Sequence, residues 1–325
     1  MRYPLALSVR LFISRTLCIL LLSCGVISQA QTTASCSFST FQAPSGYSLE
    51  APAGINNYGT IVGSIFSPPT GNTGHQDAFI HWSDGKTNIY SYSGAADTWF
   101  SKRNDSGVNV GMYQDKGGHL HGLVVSGSNA VTVNYPAGSG ASDVNTQLSG
   151  INKFGSMVGS YSAFVNGDFA NSGFELKNKA YTKISYPGST RTIPLAINAK
   201  GSVVGYYNTG SLSQPNPFNH GFILQNGTYR TLDDPQGKSQ LGTRLQDMNT
   251  NGVIVGNYVT QDSKGNTESH GFIYQTGSFK NVVYPGARST WIAGINDYGT
   301  VVGSAVFSAN TGLGYTMKPF KAYCH

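Results

Sequence analysis

The chain has 325 residues and a formal net charge of +6, with 41 Gly, 13 Pro and only 11% charged residues, against about 25% charged in an ordinary soluble domain. Glu occurs three times, at Glu50, Glu175 and Glu268, while Tyr, Thr, Val, Ser and Gly abound, which argues against a helical protein. Hydrophobic residues at 39% and aromatics at 12% suffice for a core and exclude a disordered tail protein.

Residues 1–30 carry Arg2, Arg10 and Arg15 with no acidic residue, then an apolar run from Leu17 to Ile27, then Ser28-Gln29-Ala30 before Gln31. This order predicts a secretory signal peptide, and the apolar run is too short for a membrane span of about 20 residues. The stretch Leu21-Leu22-Ser23-Cys24-Gly25 also resembles a lipoprotein cleavage box, so lipid anchoring through Cys24 is the alternative to free secretion into the periplasm or medium. Losing three Arg residues lowers the net charge to +3, which weakens any case for nucleic-acid binding. Cys18 and Cys24 leave too, so the mature chain, residues 31–325, keeps Cys36 and Cys324, and no further segment is apolar enough to span a membrane.

One pattern recurs six times from there: Asn, Gly three residues on, Val six on and Gly seven on. The first two positions are Asn56 and Gly59, Asn104 and Gly107, Asn152 and Gly155, Asn198 and Gly201, Asn249 and Gly252, and Asn296 and Gly299. Asn followed by Gly at this spacing favours a type I turn with a positive-φ Gly in the adjoining bulge, so each copy predicts a hairpin tip. Short β-branched segments flank it, such as Val203-Val204-Gly205-Tyr206-Tyr207. A third strand is expected at Ala78-Phe79-Ile80, Gly122-Leu123-Val124, Gly173-Phe174-Glu175, Gly221-Phe222-Ile223, Gly271-Phe272-Ile273 and Gly314-Tyr315-Thr316. A fourth ends at Tyr135-Pro136, Tyr186-Pro187, Asp234-Pro235 or Tyr284-Pro285, where Pro stops the ladder.

Four strands in a period of about 48 residues predict a single all-β domain, a β-propeller with six blades; the alternative is an open β-repeat solenoid. The last copy, residues 296–325, is too short alone, and residues 36–55 make up the difference. Phe38 lies six residues before Pro44 as Phe279 lies six before Pro285, so residues 38–44 read as the missing fourth strand. That places Cys36 beside Cys324 and predicts a disulfide in place of a hairpin turn.

The pattern Ile-Asn-x-x-Gly-x-Val-Val-Gly-x-Tyr followed by a His-Gly-Phe or Asp-Ala-Phe strand resembles the HAF repeat of bacterial extracellular proteins, over residues 36–325. The chain departs from His-Ala-Phe at His121, His220 and His270, each followed by Gly, and at Asp77 and Ser172. The resemblance implies export and repeat architecture and carries no activity.

No nucleophile elbow, zinc-protease helix, dinucleotide loop or paired-cysteine motif occurs, so no cofactor is expected. The histidine column reads as a polar strand-opening position ahead of a metal set, and Asp233-Asp234-Pro235 as a solvated turn ahead of an acid-base pair. Arg103 and Asp247 break the apolar pattern beside their hairpin tips and either line a channel or pair with surface neighbours. Thr98, Thr146, Thr192, Thr243 and Thr290 all lie six residues before the repeat Asn, and the next residue varies: Trp99, Gln147, Ile193, Arg244 and Trp291. A fixed Thr followed by a changing side chain predicts a varied surface on a common scaffold, with packing of Trp99 and Trp291 between blades as the alternative. The sequence therefore predicts a secreted, non-catalytic module binding an extracellular glycan or protein, with a carbohydrate-active hydrolase or lyase on the same scaffold as the second reading.

Overall fold

The computed structural model describes residues 31–67, 74–166, 168–210, 218–237, 242–261, 263, 265–308 and 315–324; the predicted leader and Cys24 lie outside them. At each repeat Asn the chain reverses as its residues dictate. The Asn56 N–H donates to the Thr60 carbonyl and the Gly59 N–H to the Asn56 carbonyl, both at 3.0 Å, and the other five copies repeat these bonds. The Gly that follows has φ between +75° and +84° in every copy, a conformation only Gly adopts without strain.

Two short strands open the described chain, β1 (Thr32–Thr33) and β2 (Cys36–Thr40). Blade 1 contains β3 (Ser48–Ile55), β4 (Ile61–Ser67), β5 (His75–His81) and β6 (Thr87–Tyr90), and blade 2 β7 (Asp97–Arg103), β8 (Val108–Gln114), β9 (Leu120–Ser126) and β10 (Asn129–Val133). Blade 3 contains β11 (Ala141–Ile151), β12 (Met157–Val165), β13 (Asp168–Lys177) and β14 (Ala180–Ile184), and blade 4 β15 (Arg191–Ile197), β16 (Val203–Asn208), β17 (His220–Gln225) and β18 (Thr228–Thr231). Blade 5 contains β19 (Thr243–Met248), β20 (Ile254–Gln261), β21 (Thr267–Gln275) and β22 (Ser278–Val282), with β1 added in parallel to β22. Blade 6 contains β23 (Ser289–Ile295), β24 (Thr300–Ser308) and β25 (Tyr315–Cys324), and takes β2 as its outer strand. The first strand of each blade neighbours the first strand of the next, and β23 neighbours β3, so the six sheets form a closed ring and not a solenoid.

Closure follows the predicted register, but the closing strand runs over Cys36–Thr40 and not residues 38–44. β2 pairs antiparallel with β25 from Cys36 opposite Cys324 to Thr40 opposite Phe320, and the two cysteines are disulfide-bonded. The third strand of blade 6 differs from expectation. Gly303 stands opposite Phe320 as Gly63 stands opposite Phe79, so Phe320 and not Tyr315 is the repeat aromatic, while Gly314 lies outside the described residues. Pro319 precedes this aromatic where the other blades have Gly or Ala, which hid the match.

The second repeat Gly has a steric origin. In all six blades the first strand bulges between the fourth and second residues before the Asn, for example between Leu148 and Gly150. A Cβ on Gly63, Gly111, Gly159, Gly205, Gly256 or Gly303 would lie 2.0–2.3 Å from a carbonyl of that strand. Behind these glycines lie the buried aromatics Phe79, Phe174, Phe222, Phe272 and Phe320, with Leu123 in blade 2. Apolar clusters fill the wedges between neighbouring blades, such as Val302 of blade 6 among Ile55, Ile61, Ile65 and Phe79 of blade 1.

Each repeat Asn also reaches its neighbour. The Asn56 side-chain amide donates to the Asn104 carbonyl, Asn104 to Asn152, Asn152 to Asn198, Asn198 to Asn249, Asn249 to Asn296 and Asn296 back to Asn56, at 3.1–3.4 Å. Its Oδ1 meanwhile accepts backbone N–H groups of its own turn, such as those of Phe154 and Ser156 on Asn152. One side chain thus sets both the turn and the circumference, which is why Asn stands at all six tips. The repeated Thr fixes the approach: the hydroxyls of Thr98, Thr146, Thr192, Thr243 and Thr290 accept the N–H of Tyr92, Tyr135, Tyr186, Asp234 and Tyr284, at 2.9–3.0 Å.

Candidate functional site

The bulge projects one residue per blade toward the axis: Ala53, Ser101, Ser149, Leu195, Gln246 and Ala293, all half-buried. With Gln147, Trp291, Pro52, Lys102 and Asp247 they line a central funnel of about 270 Å³, open on the face opposite the hairpin tips. Two residues before the repeat Asn the blades carry Gly54, Lys102, Gly150, Ala196, Asp247 and Gly294. Small residues in four blades leave room for the side chains of blades 2 and 5, which face each other across a ring of six. Lys102 Nζ donates to Asp247 Oδ2, with the two side chains only 15% and 4% exposed. Asp247 Oδ2 also accepts the Ile295 N–H at 2.8 Å, and Oδ1 the Met248 N–H at 2.9 Å. A Cβ on Gly54 would come within 2.9 Å of Lys102 Cδ. The ion pair is the floor of the funnel.

Of the residues expected to bind, Gln147, Trp291 and Asp247 meet in this funnel. Arg244 lines a crevice of about 80 Å³ beside Trp291, with Asn257 and Val259, and its guanidinium lies 4.7 Å over the Tyr206 ring. Trp99 is half-buried at the junction of blades 1 and 2 and its indole N–H donates to Gln76 Oε1. Arg103 turns away from the axis: its Nη1 donates to Asn109 Oδ1 at 2.9 Å and it lies 4.9 Å over the Trp82 ring. Burial lowers the pKa of its guanidinium. Lys102, next to Arg103, is the cation that reaches the axis, which the residue pattern around Arg103 concealed.

On the hairpin-tip side two carboxylates from different blades share one amide. Asn57 Nδ2 donates to Asp105 Oδ2 at 2.8 Å and to Asp297 Oδ2 at 3.0 Å. Burial opposes ionisation of Asp297, but the N–H and hydroxyl of Thr250, the Asn57 amide and the charge of Lys153 outweigh it and hold the carboxyl below its ordinary range.

The remaining polar candidates are engaged elsewhere. His121, His220 and His270 stand opposite Tyr113, Tyr207 and Tyr258 and stack on them at ring separations of 4.9–5.2 Å. His220 Nδ1 is 2.7 Å from Asp233 Oδ2, and no cluster of metal-ligating side chains is present among the described residues. Asp234 opens the expected turn, its carbonyl accepting the Gly237 N–H at 3.0 Å with Pro235 and Gln236 exposed, but its own side chain is buried: it takes the place of the Tyr that in blades 3 and 4 stacks on Tyr161 or Tyr207, and Gln31 enters and donates to its Oδ2 at 2.9 Å. Burial pushes its pKa up against that bond and one from the Gln236 N–H.

No helix among the described residues is long and apolar enough to cross a membrane. No family model and no curated protein matches the chain. Among solved structures it is similar to a variant of the Aleuria aurantia lectin in complex with alpha-methyl-L-fucoside, at 13% identity over 88% of this chain and 94% of that one, TM-score 0.43. The β-propeller domain of the Trilobed protease from Pyrococcus furiosus matches at 8% identity over 90% and 82%, TM-score 0.43, and a Hadza microbial sialidase at 8% over 86% and 66%, TM-score 0.48. The fold rests on the chain's own sheet order and ring of strand neighbours: this is a six-bladed β-propeller.

Proposed function

We propose that the protein is an exported, non-catalytic module of the HAF-repeat kind that binds an extracellular saccharide chain in the central funnel. The observation that carries this reading is the funnel wall. Trp291 offers an aromatic surface while Gln147, Gln246, Ser101 and Ser149 offer donors and acceptors, over a floor whose charges are already paired. A glycosidase needs a second carboxyl group and one held protonated. Asp247 is the one carboxylate in the funnel lining and is engaged by three donors. On the other face the Thr250 and Asn57 donors and the charge of Lys153 hold the Asp297 carboxyl below its ordinary range against burial, the opposite of the raised pKa that suits a general acid. The Cys36–Cys324 disulfide supports an extracellular or periplasmic location.

The test is a glycan array on the exported protein, followed by titration of any hit against Trp291→Ala and Gln147→Ala. Loss of affinity of about tenfold or more in the Trp291 variant supports the reading. Release of reducing ends from a polymer that binds would overturn it in favour of a hydrolase.

A further inference from the structure

The hairpin tips carry a second pattern. Two residues after the repeat Asn stand Tyr58, Ser106, Phe154, Lys200, Asn251 and Tyr298. Tyr58 and Tyr298, on neighbouring blades, are each 69% exposed. Among the described residues neither ring contacts another aromatic ring and neither hydroxyl has a hydrogen-bond partner. The turn itself needs no aromatic there, as Ser106 and Asn251 show, so turn formation does not account for these two rings.

Between them lies a groove of about 350 Å³ along the seam where the ring closes. One wall is built by the strands that the disulfide joins: Ser37 stands opposite Tyr323 and Ser39 opposite Lys321. Tyr323 is 48% exposed. The lining contains no aliphatic side chain larger than Ala322 and one cation, Lys321, with no carboxylate.

We propose that this seam is a saccharide-binding site distinct from the funnel, in which a pyranose ring packs its C–H face on Tyr58 and Tyr298 while its hydroxyls meet Ser37, Ser39 and Lys321. Flat rings interspersed with hydroxyl groups match a sugar, which has an apolar face and a polar rim. A protein partner is the poorer fit, because a stable protein interface takes about 800 Å² per side around large buried anchors, and the groove lacks aliphatic anchors. The proposal extends the saccharide-binding reading to a second place on the molecule, and the two fail separately.

The experiment titrates the full exported protein with a panel of neutral and uronate-bearing oligosaccharides, by calorimetry and saturation-transfer NMR. Tyr58→Ala with Tyr298→Ala is expected to weaken one set of ligands about tenfold or more, while Tyr58→Phe with Tyr298→Phe, which keeps the ring faces, stays within about twofold. Lys321→Gln is expected to weaken uronate-bearing members of that set alone. An unchanged melting curve and an intact disulfide by mass show that each variant is folded. Binding that falls in Trp291→Ala and is untouched in the double Ala variant overturns the seam and leaves the funnel standing. Binding to no member of the panel overturns both, and capture of a protein at Tyr58 and Tyr298 without any sugar overturns the seam.

Discussion

Lys102 and Asp247, on opposite walls of the central channel, form an ion pair that closes the axis of the ring. Breaking one side leaves a charge in a place that water barely reaches. Lys102→Met is expected to cost about 3 kcal/mol in urea unfolding, the scale for removing one partner of a buried pair. Lys102→Met combined with Asp247→Asn is expected to recover much of this, because Asn has no charge to strand and keeps an acceptor for the Ile295 N–H. Equal stability of the single and double variants would show that the pair does not hold the channel floor.

The asparagine ring separates turn formation from circumferential locking. Asn152→Asp keeps the Oδ1 acceptor for the Phe154 and Ser156 N–H groups and suits the turn, but it cannot donate to the Asn198 carbonyl. Its expected cost is about 1–3 kcal/mol by chemical denaturation, and Asn152→Ala is expected to cost more. A neutral Asp variant would mean that the turn alone explains the residue.

Serine at both Cys36 and Cys324 removes a link that spans 288 residues of sequence. The chain-entropy model gives about 5 kcal/mol for so long a loop. The melting temperature of the double Ser variant, compared with that of oxidised wild type, measures it. Ser37 and Tyr323 flank the bridge, so affinity for a seam ligand is expected to fall further than affinity for a funnel ligand. Equal loss at both places would refute that dependence.

Two carboxyls give stability terms of opposite sign. Asp297 is held below its ordinary value of 3.8 in the fold, so its contribution is present above that value and disappears as pH falls through the folded pKa. Asp297→Asn is therefore expected to melt lower than wild type at neutral pH, with the gap closing in acid. Asp234 is raised by burial, so the folded state favours its proton and wild type loses stability as pH rises from 3.8 through the raised value. The melting difference of Asp234→Asn over wild type is expected to grow in the variant's favour across that window. Parallel pH profiles for the two variants would contradict the assignment.

The ring, its six tips and its disulfide were legible because each depends on residues that recur at fixed spacing. Asn and Gly report turn geometry, and Phe38 with Pro44 reports strand register. The bulge was not legible, since a residue projecting toward the axis has no required type, as Ala53, Leu195 and Gln246 illustrate. Lys102 had a signal: opposite charges exactly half a ring apart, in a column otherwise holding Gly or Ala, imply contact across an axis. Arg103 drew attention because it replaces Ile, yet a long side chain in a wedge position escapes outward to Asn109 and Trp82. Asp234 misled for a different cause, because Gln31, the residue that covers it, lies 203 positions away in sequence.

Pairing β2 with β25 sets an order of events during synthesis. The ribosome releases Cys36 almost the whole length of the domain before Cys324, a delay of about 15–60 s at ordinary elongation rates. Until β25 emerges, β2 has no sheet to join, and the toroid stays unlatched. A nascent polypeptide that cannot finish its architecture early remains threadable, and a product terminated ahead of Tyr315 keeps five complete sectors with an orphaned strand that nothing can latch.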